Sequence, residues 1–178
     1  RFDEALAMYR RAQEIDPEPF KGAGYYGVGL CYIFMRRYDD AIAFYQQWLR
    51  QNPKSDLGHT FLAFAYSFKG MHAEALAHND SAQYWGITNR PLLLARAGKR
   101  ALAIKAFEQG KSSPNFNDYT KAIFFALIGE KDSAFYWLDR FYRAPSGELT
   151  WIRHDPFLDN LREDPRFKEL LKKMNLLD

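Results

Sequence analysis

Apolar and polar positions along the chain fall into short blocks of helical period. Five of these blocks open on a small residue after a polar turn: FDEALA, YDDAIA, HAEALA, RALAIK and KDSAFY. Their shared alanines are Ala5, Ala41, Ala75, Ala103 and Ala134, spaced by 36, 34, 28 and 31 residues. Four positions further on lie Tyr9, Tyr45, Asn79, Phe107 and Leu138. Seven further on lie Ala12, Trp48, Ala82, Gly110 and Phe141. Positions at these offsets share one face of a helix. The small first member lets a neighbouring backbone approach, and the larger second member fills the space beside it.

Upstream of the later blocks sit more apolar segments: YYGVGLCYIFM, HTFLAFAYSF, RPLLLARA and TKAIFFALI. They are hydrophobic nearly all round, which predicts helices covered on several sides. The connections RRYD, KGMH, GKR and GEKD are short and polar, so consecutive helices must run antiparallel. Asp16-Pro17 and Asn52-Pro53 close the outer helices, because proline cannot continue one. The spacing of 28 before Ala103 predicts a short inner helix over about residues 90–97, with Pro91 in its opening turn. Residues 1–17 read as the outer helix of a pair whose inner helix is expected upstream, in a longer parent protein.

This organisation resembles the tetratricopeptide repeat family. In the unit from about 22 to 53 the resemblance is carried by Tyr25, Val28, Gly29, Tyr32, Tyr38, Ala41, Tyr45 and Pro53. The next unit supplies Leu62, Ala63, Tyr66, Ala75 and Ala82. The resemblance covers roughly residues 1–143 and implies an all-α fold, a right-handed superhelical solenoid of antiparallel helix pairs. The expected organisation is a truncated repeat at 1–17, helix pairs over 18–143 with a degenerate one at 87–112, and a cap over 144–178. In the tail, Asp155-Pro156 and Asp164-Pro165 each predict a helix start, since Asp caps unpaired amides and proline suits the first turn. One such helix is very short and the other runs to about Met174. Phe157 and Leu161 are placed to fill the last groove, and Phe167, Leu170 and Leu171 to line the second helix. The paired DPF and LREDPRF also resemble the tails of bacterial repeat domains on serine/threonine kinases, adenylate cyclases and winged-helix transcription regulators. That resemblance implies, as an alternative, a sensory or regulatory domain of a signalling protein.

Composition narrows the chemistry. The 178 residues carry 25 Lys and Arg against 22 Asp and Glu, a formal charge of +3 that gives no nucleic-acid signature. Rings are abundant, with 15 Phe, 11 Tyr and 4 Trp, so the core or a contact surface is built from them. One cysteine, Cys31, excludes an internal disulfide and a multi-thiolate metal site, which fits a cytoplasmic setting. No apolar run reaches the roughly 20 residues that a membrane helix needs.

No catalytic constellation stands out, so the chain reads as a protein that is not an enzyme and needs no cofactor or metal. His72 and His78 are six apart, beyond the helical spacing that aims two imidazoles at one metal, and His59 and His154 stand alone in sequence. Cys31 lies in an apolar helix and reads as a buried, inert thiol. Asp39 and Asp40 favour the positive end of a helix start. Gly22 and Gly24 lack the strand and lysine of a phosphate loop and suit close helix approach. Arg96, Lys99, Arg100, Lys105 and Lys111 form a basic run opposed only by Glu108, which reads as a solvated face.

The family resemblance implies a concave channel, lined by inner helices, that takes a protein or peptide partner. The groove residues expected are Tyr26, Leu30 and Ile33 in one unit and Thr60, Phe64 and Ser67 in the next. Phe34 and Phe68 stand at the margin. A later unit adds Tyr119, Ile123 and Leu127. Tyr26, Leu30 and Phe64 form the expected centre of the patch. Chaperone-binding relatives clamp a terminal carboxylate with Lys and Asn here, whereas this chain presents aromatic and aliphatic residues suited to an apolar helix or peptide. Phe2, Leu6 and Tyr9, on the opening helix, are expected to be open to a second copy of the chain, as in a homodimer.

Overall fold

The computed structural model describes residues 2–15, 24–144 and 151–177. Among them are ten α-helices, one 3₁₀ helix and no strand. The α-helices are α1 (Phe2–Ile15), α2 (Gly24–Phe34), α3 (Tyr38–Gln51), α4 (Asp56–Phe68), α5 (His72–Ser81), α6 (Gly86–Arg96), α7 (Arg100–Gly110), α8 (Asp118–Leu127), α9 (Lys131–Arg143) and α10 (Pro165–Lys173). The 3₁₀ helix is Pro156–Leu161. Asp16, Pro17 and Gly22, to which the sequence reading assigned roles, lie outside the described residues. The chain divides into two units, Arg1–Asn89 and Arg90–Asp178.

Four turns share one geometry, and it explains the alignment of the alanines. Arg36, Gly70, Gly98 and Gly129 all have positive φ, between 62° and 85°. Each stands five residues before its alanine. Each turn ends its first helix with the same pair of bonds. In the second, the Gly70 amide donates to the Ser67 carbonyl and the Met71 amide to that of Tyr66; Arg36 and Arg37, Gly98 and Lys99, and Gly129 and Glu130 do the same in theirs. This closure satisfies carbonyls that a helix end leaves unpaired and requires a left-handed residue at its centre. The residue that closes one helix also opens the next, because the carbonyls of Arg37, Met71, Lys99 and Glu130 accept from the amides of Ala41, Ala75, Ala103 and Ala134.

In the first unit, α2 packs on both α1 and α3, and α4 on α2, α3 and α5. Ala41 and Ala75 are buried, as is Tyr45. Gly27 and Gly29 leave room on α2 for a tyrosine from each side. A methyl group at Gly29 would fall inside the ring of Tyr45, and one at Gly27 inside the ring of Tyr9. The Tyr45 hydroxyl then donates to the Tyr26 carbonyl at 2.9 Å. Trp48, where three of the other four blocks carry a small residue, is buried with its ring stacked 6.1 Å from Tyr45.

In the second unit Ala103 and Ala134 are again buried. Phe107 of α7 stacks on Phe124 of α8 at 4.1 Å, with Phe116 edge-on at 5.2 Å. The two tail helices start as their Asp-Pro pairs predict: Asp155 accepts from the Phe157 amide and Asp164 from that of Arg166. Phe157, Leu158 and Leu161 are buried, as are Phe167, Leu170 and Leu171. The 3₁₀ helix packs on α8, and α10 on α9.

Two expectations are corrected here. The inner helix expected over 90–97 begins at Gly86, so Pro91 lies inside α6 and not in its opening turn. The polar residues Thr88 and Asn89 hid this extension, because both are buried and so interrupt the apolar pattern. On α1, Leu6 is buried against Val28 and Cys31, with Phe2 and Tyr9 packed around them. α2 covers the face expected to await a second copy.

Candidate interaction surface

The open faces of the inner helices follow from which residues the packing leaves reachable. On α2 the half-buried positions include Tyr26, Leu30 and Phe34, one helical turn apart, while Ile33 is closed into the core. On α4 the open row is Leu57, Phe61, Phe64 and Phe68. Thr60 and Ser67, expected on that row, are buried instead. Phe64 lies on both rows, while Phe61 and Phe68 stand open in place of Thr60 and Ser67, so the true face is turned by less than the roughly 100° between successive residues. Which positions stay open depends on the neighbours that α2 and α3 supply, and these bury Thr60 and Ser67.

Phe61 was missed in the sequence and is the residue that joins the patch. Its ring stacks on Tyr26 at 5.7 Å with an interplanar angle of 6°. It meets Phe64 edge-on at 6.2 Å and stacks on Tyr45 at 5.6 Å. Farther along α4, Phe68 stacks on Tyr38 at 5.6 Å. The signal was present in HTFLAFAYSF, where three Phe recur at offsets of zero, three and seven. Phe61 thus joins Tyr26 of α2 to Phe64 of α4, and Leu30 is half-buried one turn after Tyr26.

In the second unit the expected residues have other roles. Ile123 is buried, and Tyr119 donates to Asp155 at 2.5 Å and packs on Phe141 at 5.2 Å. Burial, and then the Asp155 carboxylate, push the Tyr119 hydroxyl well above the usual tyrosine range, so it stays a donor. Leu127 is half-buried. The half-buried positions on α8 include Lys121 and Phe125, with Ile128 just past its end. Lys121 lies 4.4 Å over the Trp137 ring of α9, and Arg140 lies 4.8 Å from the same ring.

The remaining chemical candidates are placed as follows. Cys31 is buried, and burial raises its thiol above the ordinary value, which disfavours the nucleophilic thiolate. Asp40 pairs with Arg37 at 2.7 Å, and Asp39 pairs with Lys69. Within the basic run, Arg100 pairs with Glu130 at 3.0 Å, Lys111 pairs with Glu108, and Arg96 lies 5.9 Å over the Phe157 ring. His59 does not stand alone in space: its Nδ1 meets that of His78 at 3.0 Å. Among the described residues no three His, Cys, Asp or Glu gather as metal ligands. No helix among them is long and apolar enough to cross a membrane.

Antiparallel helix pairs joined by a repeated turn define an all-α helical-repeat protein. Residues 1–64 match the family model described as tetratricopeptide repeat. Such repeats are generally protein–protein interaction modules and typically non-catalytic. No curated protein and no solved structure matches the chain.

Proposed function

We propose that this chain is a non-catalytic interaction scaffold whose first unit takes an apolar helix or peptide against Tyr26, Leu30, Phe61 and Phe64. The observation that carries the reading is the aromatic row itself. Its members are half-open, while the residues beneath them, Val28, Leu62, Ala63 and Ala65, are buried. Ring stacking pre-organises the surface, which reduces the entropy lost when a partner docks. Recognition of this kind lays the apolar side of a helix into a groove and draws its energy from a few large anchors.

The test is a pull-down with the wild-type chain as bait, followed by titration of the captured partner. Phe64→Ala or Tyr26→Ala should weaken the affinity by about 2 kcal/mol, near thirtyfold, in a chain with an unchanged circular dichroism spectrum. Unchanged affinity in both folded variants would remove this surface from consideration.

A further inference from the structure

His59 on α4 and His78 on α5 meet Nδ1 to Nδ1 at 3.0 Å. Their ring centroids are 5.3 Å apart, a separation that sets the two nitrogens end to end between the rings. The other nitrogen of His59, Nε2, lies 3.0 Å from the Pro53 carbonyl oxygen. A carbonyl only accepts, so His59 Nε2 carries a hydrogen. In the neutral pair His59 Nδ1 is then the bare acceptor, and His78 donates to it from Nδ1.

One added proton leaves this arrangement whole. As an imidazolium, His59 donates from Nε2 to Pro53 and from Nδ1 to His78, which turns to its Nε2–H tautomer. A second proton breaks it, because both Nδ1 atoms then carry hydrogens and two positive rings face each other at contact distance. A metal ion does not fit the same space. Zinc to nitrogen is about 2.0–2.1 Å, so an ion between end-to-end nitrogens needs about 4 Å.

We propose that the His59–His78 pair is a proton-counting latch that fastens α5 to α4 and to the turn at Pro53, holding with zero or one added proton and opening with two. Among the described residues no ion pair joins a carboxylate to either ring, and the acidic groups on the two helices themselves are Asp56 on α4 and Glu74 and Asp80 on α5. From α4, Tyr66 stacks on His78 at 5.6 Å. From α3, Gln46 donates to the Tyr66 hydroxyl at 2.8 Å. α2, which also packs on α4, carries no charged residue. The carboxylate of Asp56, at the start of α4, accepts from the Tyr84 amide at 2.8 Å. Burial first, and the charge of His59 second, hold His78 below the usual histidine range. A depressed histidine makes the opened state the better proton binder. The latch is therefore at full strength above the ordinary histidine value and weakens as pH falls below it.

Amide hydrogen exchange across α5 in the whole chain, from pH 8 to pH 5, tests the latch. Below about pH 6.5 the wild-type protection factors should fall by up to about tenfold per pH unit, and in His78→Gln this dependence should vanish. Nitrogen-15 ring spectra of the wild type at pH 8 should show His59 as the Nε2–H tautomer and His78 as the Nδ1–H tautomer. Both rings in the Nε2–H form would overturn the proposal whether or not the variant folds. So would identical pH dependence in the two proteins, or stoichiometric displacement of both ring signals by added zinc.

Discussion

At the scale of single residues, the fold turns on where a side chain is missing. Gly29 has no Cβ, and the Tyr45 ring occupies the place one would take. Tyr45 is buried among Trp48, Phe44 and Phe61 and is bonded to the Tyr26 carbonyl, so it cannot swing away. Gly29→Ala should therefore cost about 3 kcal/mol, the upper end of the usual overpacking penalty, despite alanine's better helix propensity. Urea unfolding measures it, and a loss below about 1 kcal/mol would show that the ring can yield. The reverse case is Arg36, which adopts φ 62° where the three equivalent turns carry glycine. A left-handed residue with a Cβ costs about 1 kcal/mol, so Arg36→Gly should raise stability by about that much. A fall in midpoint for that variant would mean that contacts of the arginine outweigh its backbone strain.

At the scale of elements, helix ends were more legible than helix faces. The Asp-Pro pairs start their helices because aspartate and proline meet needs local to one turn, and those needs are the same in any fold. The turns with Gly70, Gly98 and Gly129 were legible for the same reason. The open face of α4 was not, since whether Thr60 or Phe61 faces outward depends on neighbours supplied by α2 and α3. The start of α6 was hidden likewise by the burial of Thr88 and Asn89. The cap of α10 carries a pH prediction. Hydrogen bonds from the Arg166 guanidinium, with the Arg166 amide behind them, hold the Asp164 carboxyl down at about 2. A depressed carboxyl stabilises the fold above its unfolded value and loses that contribution as pH falls through the folded one. Stability should thus decline between about pH 4 and pH 2 in the wild type, and less so in Asp164→Asn. Parallel acid titrations followed by circular dichroism at 222 nm would show whether the two curves separate.

At the scale of the molecule, the two units use their inner helices differently. The first unit leaves aromatic rings half-open on α2 and α4, while the second uses its inner helix α8 to hold the tail. Tyr119 shows the difference. On sequence it is one more ring at the groove offset, because nothing in DYTKAIFFALI reveals that Asp155, 36 residues later, will accept a hydrogen bond from its hydroxyl. The same carboxylate caps the 3₁₀ helix through the Phe157 amide at 2.8 Å, so one buried Asp joins α8 to the tail. Removing the tyrosine hydroxyl leaves that carboxylate short of a donor, a loss of about 1–3 kcal/mol for a buried acceptor. Tyr119→Phe should accordingly destabilise the chain by about 2 kcal/mol in denaturant. Partner affinity, measured where the variant is fully folded, should stay at the wild-type value, because the proposed anchors lie on α2 and α4. A Tyr119→Phe chain that remains folded yet loses its partner would place recognition on α8, and the division of labour between the units would have to be redrawn.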